Sequence, residues 1–322
     1  MNVPVWPDAS GYLHRDYAAS FAEIARLREL PHCGGWILER VIPGSAFRDG
    51  MGCYPLFACR DWSRLPVDLA LLTDQLISLT LVTDPFGGFT EGDLRRSFDT
   101  VLAYKQHYVA DLGSWSERAI PRSHRRNLAR SLSRVRVETC PEPPRLSNEW
   151  VHLYEHLAAR HHITGLTAFS PASLEKQLHV PGLIMFKASV NGEVVGLHLW
   201  YVQGDYGYGH LGATSALGYE SMASYALYWH AIEHMRGHVR WLDLGSVPGA
   251  SNAPRHGLGV FKAGWSTGVR WAYLCGRIFQ PERYATLVRE RGVGTTTYFP
   301  AYRLGEFAAS PDADTETGPT PC

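Results

Sequence analysis

The sequence predicts a mixed α/β fold in which strands and helices alternate and most neighbouring strands are antiparallel. The first observation is Asn191-Gly192, a strong hairpin turn signal that separates two apolar runs at 183–186 and 194–202. The second is the order of patterns from residue 183 to 244, in which three strands are followed by a loop, a helix and a strand. The third is that residues 1–140 also mix helical and strand periodicities. Both halves of the chain are therefore assigned to the α/β class.

The segment 183–265 is the part around which the rest of the chain is organised. The run 194–202 is apolar on both alternating faces, which is typical of a strand buried on both sides. Ser221 is placed to begin a helix, and Gly237 stands where a helix end favours a positive φ. A helix that crosses between two neighbouring strands can splay them and open a cleft. Ligands then bind at the strand ends and the helix N-terminus.

The remaining elements are predicted from the same periodicities. Helices are expected over 17–30, 65–76, 91–102, 122–134, 149–161, 172–178 and 281–289, and strands over 36–42, 50–59, 77–82, 105–112, 239–244 and 269–274. The Pro-rich break at 141–144 is the expected boundary between two lobes. Residues 308–322 lack core residues and are expected to be disordered.

Composition excludes several classes of protein. Hydrophobic residues make up 45% of the 322 residues, which is ordinary for a chain with a real core. Lys+Arg and Asp+Glu are both 31, so a globally basic nucleic-acid binder is not indicated. The six cysteines form no CxxC and suggest neither a zinc cluster nor a disulfide framework. Without a signal-like N-terminus or a membrane-length apolar run, cytoplasmic residence is the expectation.

Candidate site residues follow the central strands. Asp243 lies between two leucines, so alternation can direct its carboxylate to the opposite face, into a cleft. There it can accept a proton from an amine, or it can cap the turn at Gly245; Ser246 follows as a substrate-binding candidate. Alternation also places three aromatic side chains on one strand face: Tyr206, Tyr208 and His210. They either line an acceptor pocket, with His210 as a proton relay, or belong to the core.

The most charged stretch, 114–136, contains the arginine-rich helix predicted over 122–134. Arginine binds phosphate in a bidentate manner and keeps its charge when it is partly desolvated. The exposed row is expected either to hold a tRNA backbone, a nucleotide diphosphate or the CoA pyrophosphate, or to be a solvated face that pairs with acidic neighbours. Its candidate phosphate-binding residues are Arg122, Arg125, Arg126 and Arg130.

Three ordered stretches carry a family resemblance. Residues 186–213 (FKASVNGEVVGLHLWYVQGDYGYGHLGA), 221–245 (SMASYALYWHAIEHMRGHVRWLDLG) and 261–265 (FKAGW) resemble the C-terminal lobe of FemAB-like proteins, tandem members of the GNAT acyltransferase superfamily. The resemblance implies two GNAT-like lobes, each a mixed, mostly antiparallel sheet flanked by helices. The lobes are expected at 1–140 and 145–307, with the transfer site in the second and a basic linker helix at 118–136.

The resemblance also implies roles for Phe261 and Lys262. In the family a Phe-Lys pair follows the last core strand, and its lysine faces the acyl-transfer centre. Lys262 would then stabilise the oxyanion that forms when an amine attacks an ester or thioester carbonyl. The structural interpretation is a surface lysine beside a core phenylalanine. The neighbouring glycines 257, 259 and 264 favour a tight loop at this point.

The sequence departs from CoA-using GNAT proteins in the loop before the crossing helix. Such proteins usually carry Q/R-x-x-G-x-G/A there, whereas residues 213–225 read ATSALGYESMASY, and Gly218 alone does not make that cradle. The leading hypothesis is therefore amide formation by transfer of an aminoacyl group from aminoacyl-tRNA, a co-substrate, to a small-molecule or peptide amine, without a resident cofactor or metal. The alternative is acyl-CoA-dependent N-acetyltransfer, with acetyl-CoA as donor.

Two lesser alternatives come from other classes. The arginine row also suits a non-catalytic nucleotide or nucleic-acid binding protein. The segment His152 to His156, with Glu155 between them, matches HxxEH, the inverted zinc-protease pattern. Fifteen histidines make an accidental match plausible, and the same segment fits an amphipathic helix.

Overall fold

The computed structural model describes residues 9–247 and 257–306. The strands are β1 (Arg26–Leu30), β2 (Gly35–Val41), β3 (Arg48–Gly52), β4 (Ser78–Val82), β5 (Thr100–Asp111), β6 (Arg136–Cys140), β7 (Leu183–Val190), β8 (Glu193–Gln203), β9 (Tyr206–Thr214), β10 (Trp241–Asp243) and β11 (Gly268–Ile278). The helices are α1 (Arg15–Ala19), α2 (Leu65–Leu71), α3 (Glu91–Ser97), α4 (Arg122–Leu132), α5 (Ser147–His161), α6 (Pro171–Gln177), α7 (Ala216–Glu220), α8 (Ala223–Met235), α9 (Gly257–Ala263) and α10 (Pro281–Glu290). The predicted mixed α/β class is confirmed.

Within the described residues the strands form one sheet of eleven, in the order β1-β2-β3-β4-β11-β5-β10-β9-β8-β7-β6. Neighbours are antiparallel except at β3–β4 and β9–β10, which are parallel. Each parallel pair has a helix in its crossover connection, α2 in the first half of the chain and α8 in the second. The two halves therefore repeat one arrangement, although their residues show no repeat.

The two halves exchange strands at the centre of the sheet. The late strand β11 lies between β4 and β5, both from the first half, and β5 in turn pairs with β10 from the second half. Backbone hydrogen bonding thus continues from one half to the other. The division at 1–140 and 145–307 stays a prediction, and the expected tail at 308–322 lies outside the described residues.

Helices pack on both faces of the sheet. The alternation of side chains along each strand decides which helices a given side chain contacts. On β10 and the residue after it, Leu242 and Leu244 enter the core formed with α4 and α8. Tyr208 and Val109 belong to the core on the other face, which α1, α5 and α6 cover. Asp243 lies between the two leucines, and this places it on the second face, as its sequence position predicted.

Two predicted helices are shorter than expected because the residues at their C-terminal ends belong to strands. The helix predicted over 17–30 is wrong beyond residue 19: Arg26–Leu30 is the edge strand β1, antiparallel to β2. The helix predicted over 91–102 begins at a Thr90–Asp93 capping box but ends at Ser97. Residues from Thr100 onwards join β5 instead. In both places, inter-strand hydrogen bonds outweigh the weak local helix preference.

The crossing helix α8 begins differently from the prediction. Ser221 does not cap it: its hydroxyl donates to the Leu217 carbonyl, and Met222, in the left-handed region at φ 59°, is the N-cap. The turn predicted at Asn191-Gly192 is confirmed by φ angles of 50° and 87°. Gly237, at φ 85°, lies just beyond the helix end as expected.

Candidate active site

A gap opens between the two parallel strands of the second half, β9 and β10. They pair only over Trp241–Asp243, opposite residues 206–208. Beyond that point the chain turns to β5, where the Leu244 N–H donates to the Tyr108 carbonyl at 2.8 Å. Strand β9 continues to Thr214 without β10 beside it. The expected splay and its cleft therefore lie at the end of β10, next to Asp243.

Asp243 is buried at this divergence, and both of its carboxylate oxygens accept hydrogen bonds. Oδ1 accepts from the backbone N–H of Gly245 at 2.7 Å, so the turn-capping interpretation is correct for this oxygen. Oδ2 lies 2.8 Å from Nδ1 of His107 on β5. Gly245 has φ +79°, a conformation that glycine adopts without strain. The acid is thus held by a backbone turn on one side and an imidazole on the other.

Lys262 reaches the same turn from the opposite face of the sheet. It lies near the end of α9, a helix where the sequence had suggested a tight loop, and it is 9% exposed. Its Nζ donates to the Ser246 carbonyl at 2.7 Å. A Cβ at Gly245 would lie 3.0 Å from that Nζ, so glycine leaves the room that the ammonium occupies. The interpretation as a surface lysine is wrong.

Burial lowers the pKa of Lys262 to about 8, and the nearby Asp243 carboxylate opposes that shift. The ammonium is therefore still the main form at neutral pH. Phe261 fixes the helix that carries it: its carbonyl accepts from His124 Nε2 at 3.0 Å, and its ring packs edge-on against Tyr225 and Tyr228. A desolvated cation held in this way favours an anionic centre.

Three candidates on β9 share one face, as alternation predicted, but they have different surroundings. Tyr206 is half-buried and stacks on Phe86 with ring centroids 4.6 Å apart. Tyr208 is buried and its hydroxyl donates to Asp84 Oδ2 at 2.8 Å. His210 bonds to the Tyr12 hydroxyl through Nδ1 and to Gln177 Oε1 through Nε2.

The environment of His210 does not favour the proton relay considered from the sequence. Burial lowers the pKa of His210 to about 3, so the ring is neutral near pH 7. Both ring nitrogens are also already occupied within the protein. These contacts give His210 the role of an ordered core histidine.

A buried acidic cluster contains Asp84, Asp243 and His107. The sequence analysis identified only Asp243 as a candidate site residue. Asp84 follows β4 much as Asp243 ends β10, so each comes from the second strand of a parallel pair. Burial raises the pKa of Asp84 to about 6, and the bonds from Tyr208 and the Phe86 N–H oppose that shift. His107 sits in the middle of a strand, where the sequence gives no signal for a site.

The arginine-rich helix α4 lies beside the helix that carries Lys262. His124 bonds to the Phe261 carbonyl, and Ser131 donates its hydroxyl to the Met222 carbonyl at 2.9 Å. Leu128 is buried, whereas Leu132, one turn later, is 49% exposed. Gly264 makes the close contact possible, since a Cβ there would lie 2.2 Å from His124 Nε2.

The candidate arginines of α4 project away from this contact. Arg122, Arg125, Arg126 and Arg130 are all exposed. Arg125 donates to the Arg118 carbonyl at 3.4 Å, and none of the four forms an ion pair with any acidic residue in the described part of the chain. The alternative of pairing with acidic neighbours therefore has no support among residues 9–247 and 257–306.

The HxxEH segment lies on α5, with the rings of His152 and His156 4.3 Å apart. Within the described ranges, no group of three or more His, Cys, Asp or Glu side chains is arranged to hold a metal ion. In the same ranges, no helix is long and apolar enough to cross a bilayer.

Comparisons with known proteins agree with this architecture. Residues 116–253 match the model of the acetyltransferase (GNAT) domain family. The structure of FemX is 10% identical, covers 84% of this chain and 93% of its own, and superposes with a TM-score of 0.63. A search of the curated proteins gives no match.

Two further solved structures are similar to this chain. The C-terminal domain of a putative lysylphosphatidylglycerol synthetase from Agrobacterium fabrum is 13% identical, with a TM-score of 0.60 over 83% of this chain and 88% of that one. L-PGS from Bacillus licheniformis is 15% identical, with a TM-score of 0.55 over 89% and 99%. At such identities the likeness concerns the fold. Residues 116–253 are therefore similar to the acetyltransferase (GNAT) domain, and they lie within a FemX-like fold whose sheet opens between β9 and β10.

Proposed function

We propose that this protein transfers an aminoacyl group from aminoacyl-tRNA to the amine of a small molecule or peptide, forming an amide. The observation that carries the proposal is the placement of Lys262 and Asp243 on opposite faces of the sheet, both touching the 243–246 turn where β9 and β10 separate. Amide formation from an ester needs a positioned amine, a route for its proton and a partner for the oxyanion.

In this proposal Lys262 is the oxyanion partner. Its ammonium is desolvated and donates to one carbonyl; among the described residues its two other N–H groups have no acceptor, which leaves them to donate to a developing alkoxide. Asp243 marks the acidic side of the site, which receives the amine. Ser246 contacts Lys262 through its carbonyl, and Phe261 holds the helix that carries the lysine. Tyr206 and Tyr208 are the proposed acceptor-binding residues on β9.

Two features support tRNA rather than CoA as the donor. The chain between β9 and α8 forms the short helix α7, and the Gly218 N–H donates to the Ser215 hydroxyl at 3.2 Å, so it is not available to a pyrophosphate. The exposed arginines of α4 form no ion pair with residues 9–247 and 257–306, and α4 contacts the helix of Lys262, which suits a polyanionic donor. One structurally similar protein is named as a lysylphosphatidylglycerol synthetase, whose named product carries an aminoacyl group. No resident cofactor is required by this chemistry.

The test is an assay of labelled aminoacyl-tRNAs with simple amines, using the wild-type protein, Lys262→Met and the exposed-lysine control Lys176→Met. We expect Lys262→Met to lose about 100- to 1,000-fold in transfer rate while its affinity for tRNA is unchanged, since removing one oxyanion donor has that effect. Lys176→Met should behave like the wild type. Equal activity of the two variants would contradict the role of Lys262.

A thermal melt with CoA and with acetyl-CoA decides between the two donors. A ligand at a hundred times its dissociation constant adds about 2.7 kcal/mol to stability. A clear rise in melting temperature would reject tRNA as the leading donor in favour of the acyl-CoA alternative. We expect no rise.

A further inference from the structure

We propose that His107 is the general base of the transfer reaction and that Asp243 is its positioning residue. The inference rests on the proposed aminoacyl transfer and names the group that takes the proton from the acceptor amine. The inference is drawn from the contact between the His107 imidazole and the Asp243 carboxylate. These groups are 136 residues apart, in different halves of the chain, and they meet where β9 and β10 diverge.

The geometry fixes the tautomer of His107. Asp243 Oδ2 lies 2.8 Å from Nδ1, and its Oδ1 already accepts the Gly245 N–H. A carboxylate accepts hydrogen bonds, so Nδ1 carries the proton and donates it. Nε2 is then left with its lone pair. A histidine oriented by a carboxylate through its other nitrogen is the arrangement that proton transfer requires.

The second ring nitrogen of His107, Nε2, makes no hydrogen bond within the described part of the chain. The His107 side chain is 7% exposed, so the ring is largely desolvated but not completely enclosed. This is how a base that meets a small nucleophile would be placed.

The surroundings place this nitrogen beside the acyl-transfer turn. His107 precedes Tyr108, which pairs with the chain at Leu244 and Gly245. Two residues earlier on β5, Lys105 donates to the Val247 carbonyl at 3.2 Å, so this side of β5 runs along the 243–247 segment. Lys262 touches the same segment from the other face. An amine can therefore approach the carbonyl from the His107 side while the oxyanion faces Lys262.

The proton balance follows from these positions. The amine nitrogen forms a bond to the ester carbonyl carbon, and one of its N–H protons passes to His107 Nε2. Asp243 stabilises the imidazolium that results. When the tetrahedral intermediate collapses, the C–O bond to the tRNA ribose breaks and the imidazolium returns the proton to the leaving oxygen. No other reactant is consumed.

The test compares two small amines as acceptors at pH 7.5, with His107→Gln, His107→Ala and the wild type. The nitrogen of 2-methoxyethylamine is strongly basic, so it holds its proton after attack and needs a base to remove it. Methoxyamine is weakly basic, so its nitrogen becomes acidic enough after attack to lose the proton to water. A glutamine can keep the hydrogen bond to Asp243 but cannot accept the proton. We expect His107→Gln to lose about 10²- to 10⁴-fold with 2-methoxyethylamine and less than tenfold with methoxyamine. Added imidazole should restore part of the activity of His107→Ala.

The outcomes separate this inference from the proposed function. If the wild type transfers to neither amine from any aminoacyl-tRNA, the proposed function is wrong. If the wild type transfers but His107→Gln loses equally with both amines, and imidazole restores nothing, His107 is structural and the inference is overturned. Full activity of a folded His107→Gln with 2-methoxyethylamine would overturn it as well. Asp243→Asn should reduce 2-methoxyethylamine transfer more than methoxyamine transfer, as a positioning residue would.

Discussion

The ionisation of Lys262 decides how the site responds to pH at the scale of single residues. Burial lowers the pKa of this lysine to about 8, whereas an ordinary lysine stays charged far above that. The buried histidines His198 and His210 do not titrate in the same range, because burial lowers the pKa of each to about 3, and Lys262 adds to the shift of His198. The alkaline side of the profile should therefore report on Lys262.

We expect transfer to methoxyamine to fall as the pH rises through about 8, because Lys262 loses the charge that stabilises the oxyanion. Methoxyamine is neutral over this range, so its own ionisation adds nothing. Lys262→Arg keeps a charge at every accessible pH. Its lower rate should not decline between pH 7 and 9. The measurement is the single-turnover rate against pH, and a wild-type rate that stays constant through pH 9 would contradict this role.

At the scale of elements, α4 is a rigid platform rather than a loose basic linker. Its inner side is fixed to α9 by His124 and to α8 by Ser131, and Asn127 donates to the Tyr225 hydroxyl at 3.0 Å. Its outer side carries the exposed arginines. A polyanion bound there would be held in a fixed position relative to Lys262, because α4 and α9 share the contact at Phe261.

We expect Arg126→Gln and Arg130→Gln each to weaken tRNA binding and to lower its salt dependence. Each phosphate contact contributes about 0.7 to 0.9 to the slope of log affinity against log salt. The matched control is Arg95→Gln on α3, an exposed arginine already paired with Glu91. Binding isotherms at several KCl concentrations give the slopes. A slope unchanged in both α4 variants would show that this face does not bind the donor.

At the scale of the whole molecule, the strand exchange ties the two halves into one hydrogen-bonded unit. Strand β11 pairs with β4 over five residues and with β5 over nine, and β5 continues to β10. Without β11, both β4 and β5 would present open edges. The proposed transfer site also joins the two halves, since His107 comes from β5 and Asp243 from β10.

We expect one cooperative calorimetric transition for the chain, in spite of its two similar halves. Leu79→Ala removes a fully buried side chain from the first half, which costs about 2 to 5 kcal/mol. The whole transition should move down by several degrees. Val67→Ala, at a 40% exposed position on α2, should leave it nearly unchanged. Two separate transitions, of which Leu79→Ala moves only one, would show that the halves unfold independently.

The sequence by itself determined the features that depend on neighbouring residues. Alternation placed Asp243 opposite Leu242 and Leu244, and the Asn191-Gly192 turn set the hairpin of β7 and β8. These two predictions succeed because turn geometry and the two-residue repeat of a strand are local properties of the chain. The link of Phe261-Lys262 to an acyl-transfer centre came from family resemblance and stays a prediction.

Only the tertiary structure decided which distant residues meet. The bond between Asp243 and His107 spans 136 residues and the bond between Tyr208 and Asp84 spans 124, so no local pattern contains either pair. Arg26–Leu30 became a strand for the same reason, because its pairing with β2 is formed only in the assembled sheet. The order and register of the strands depend on burying both faces of the sheet at once. That burial involves contacts between distant residues, which a short stretch of sequence does not encode.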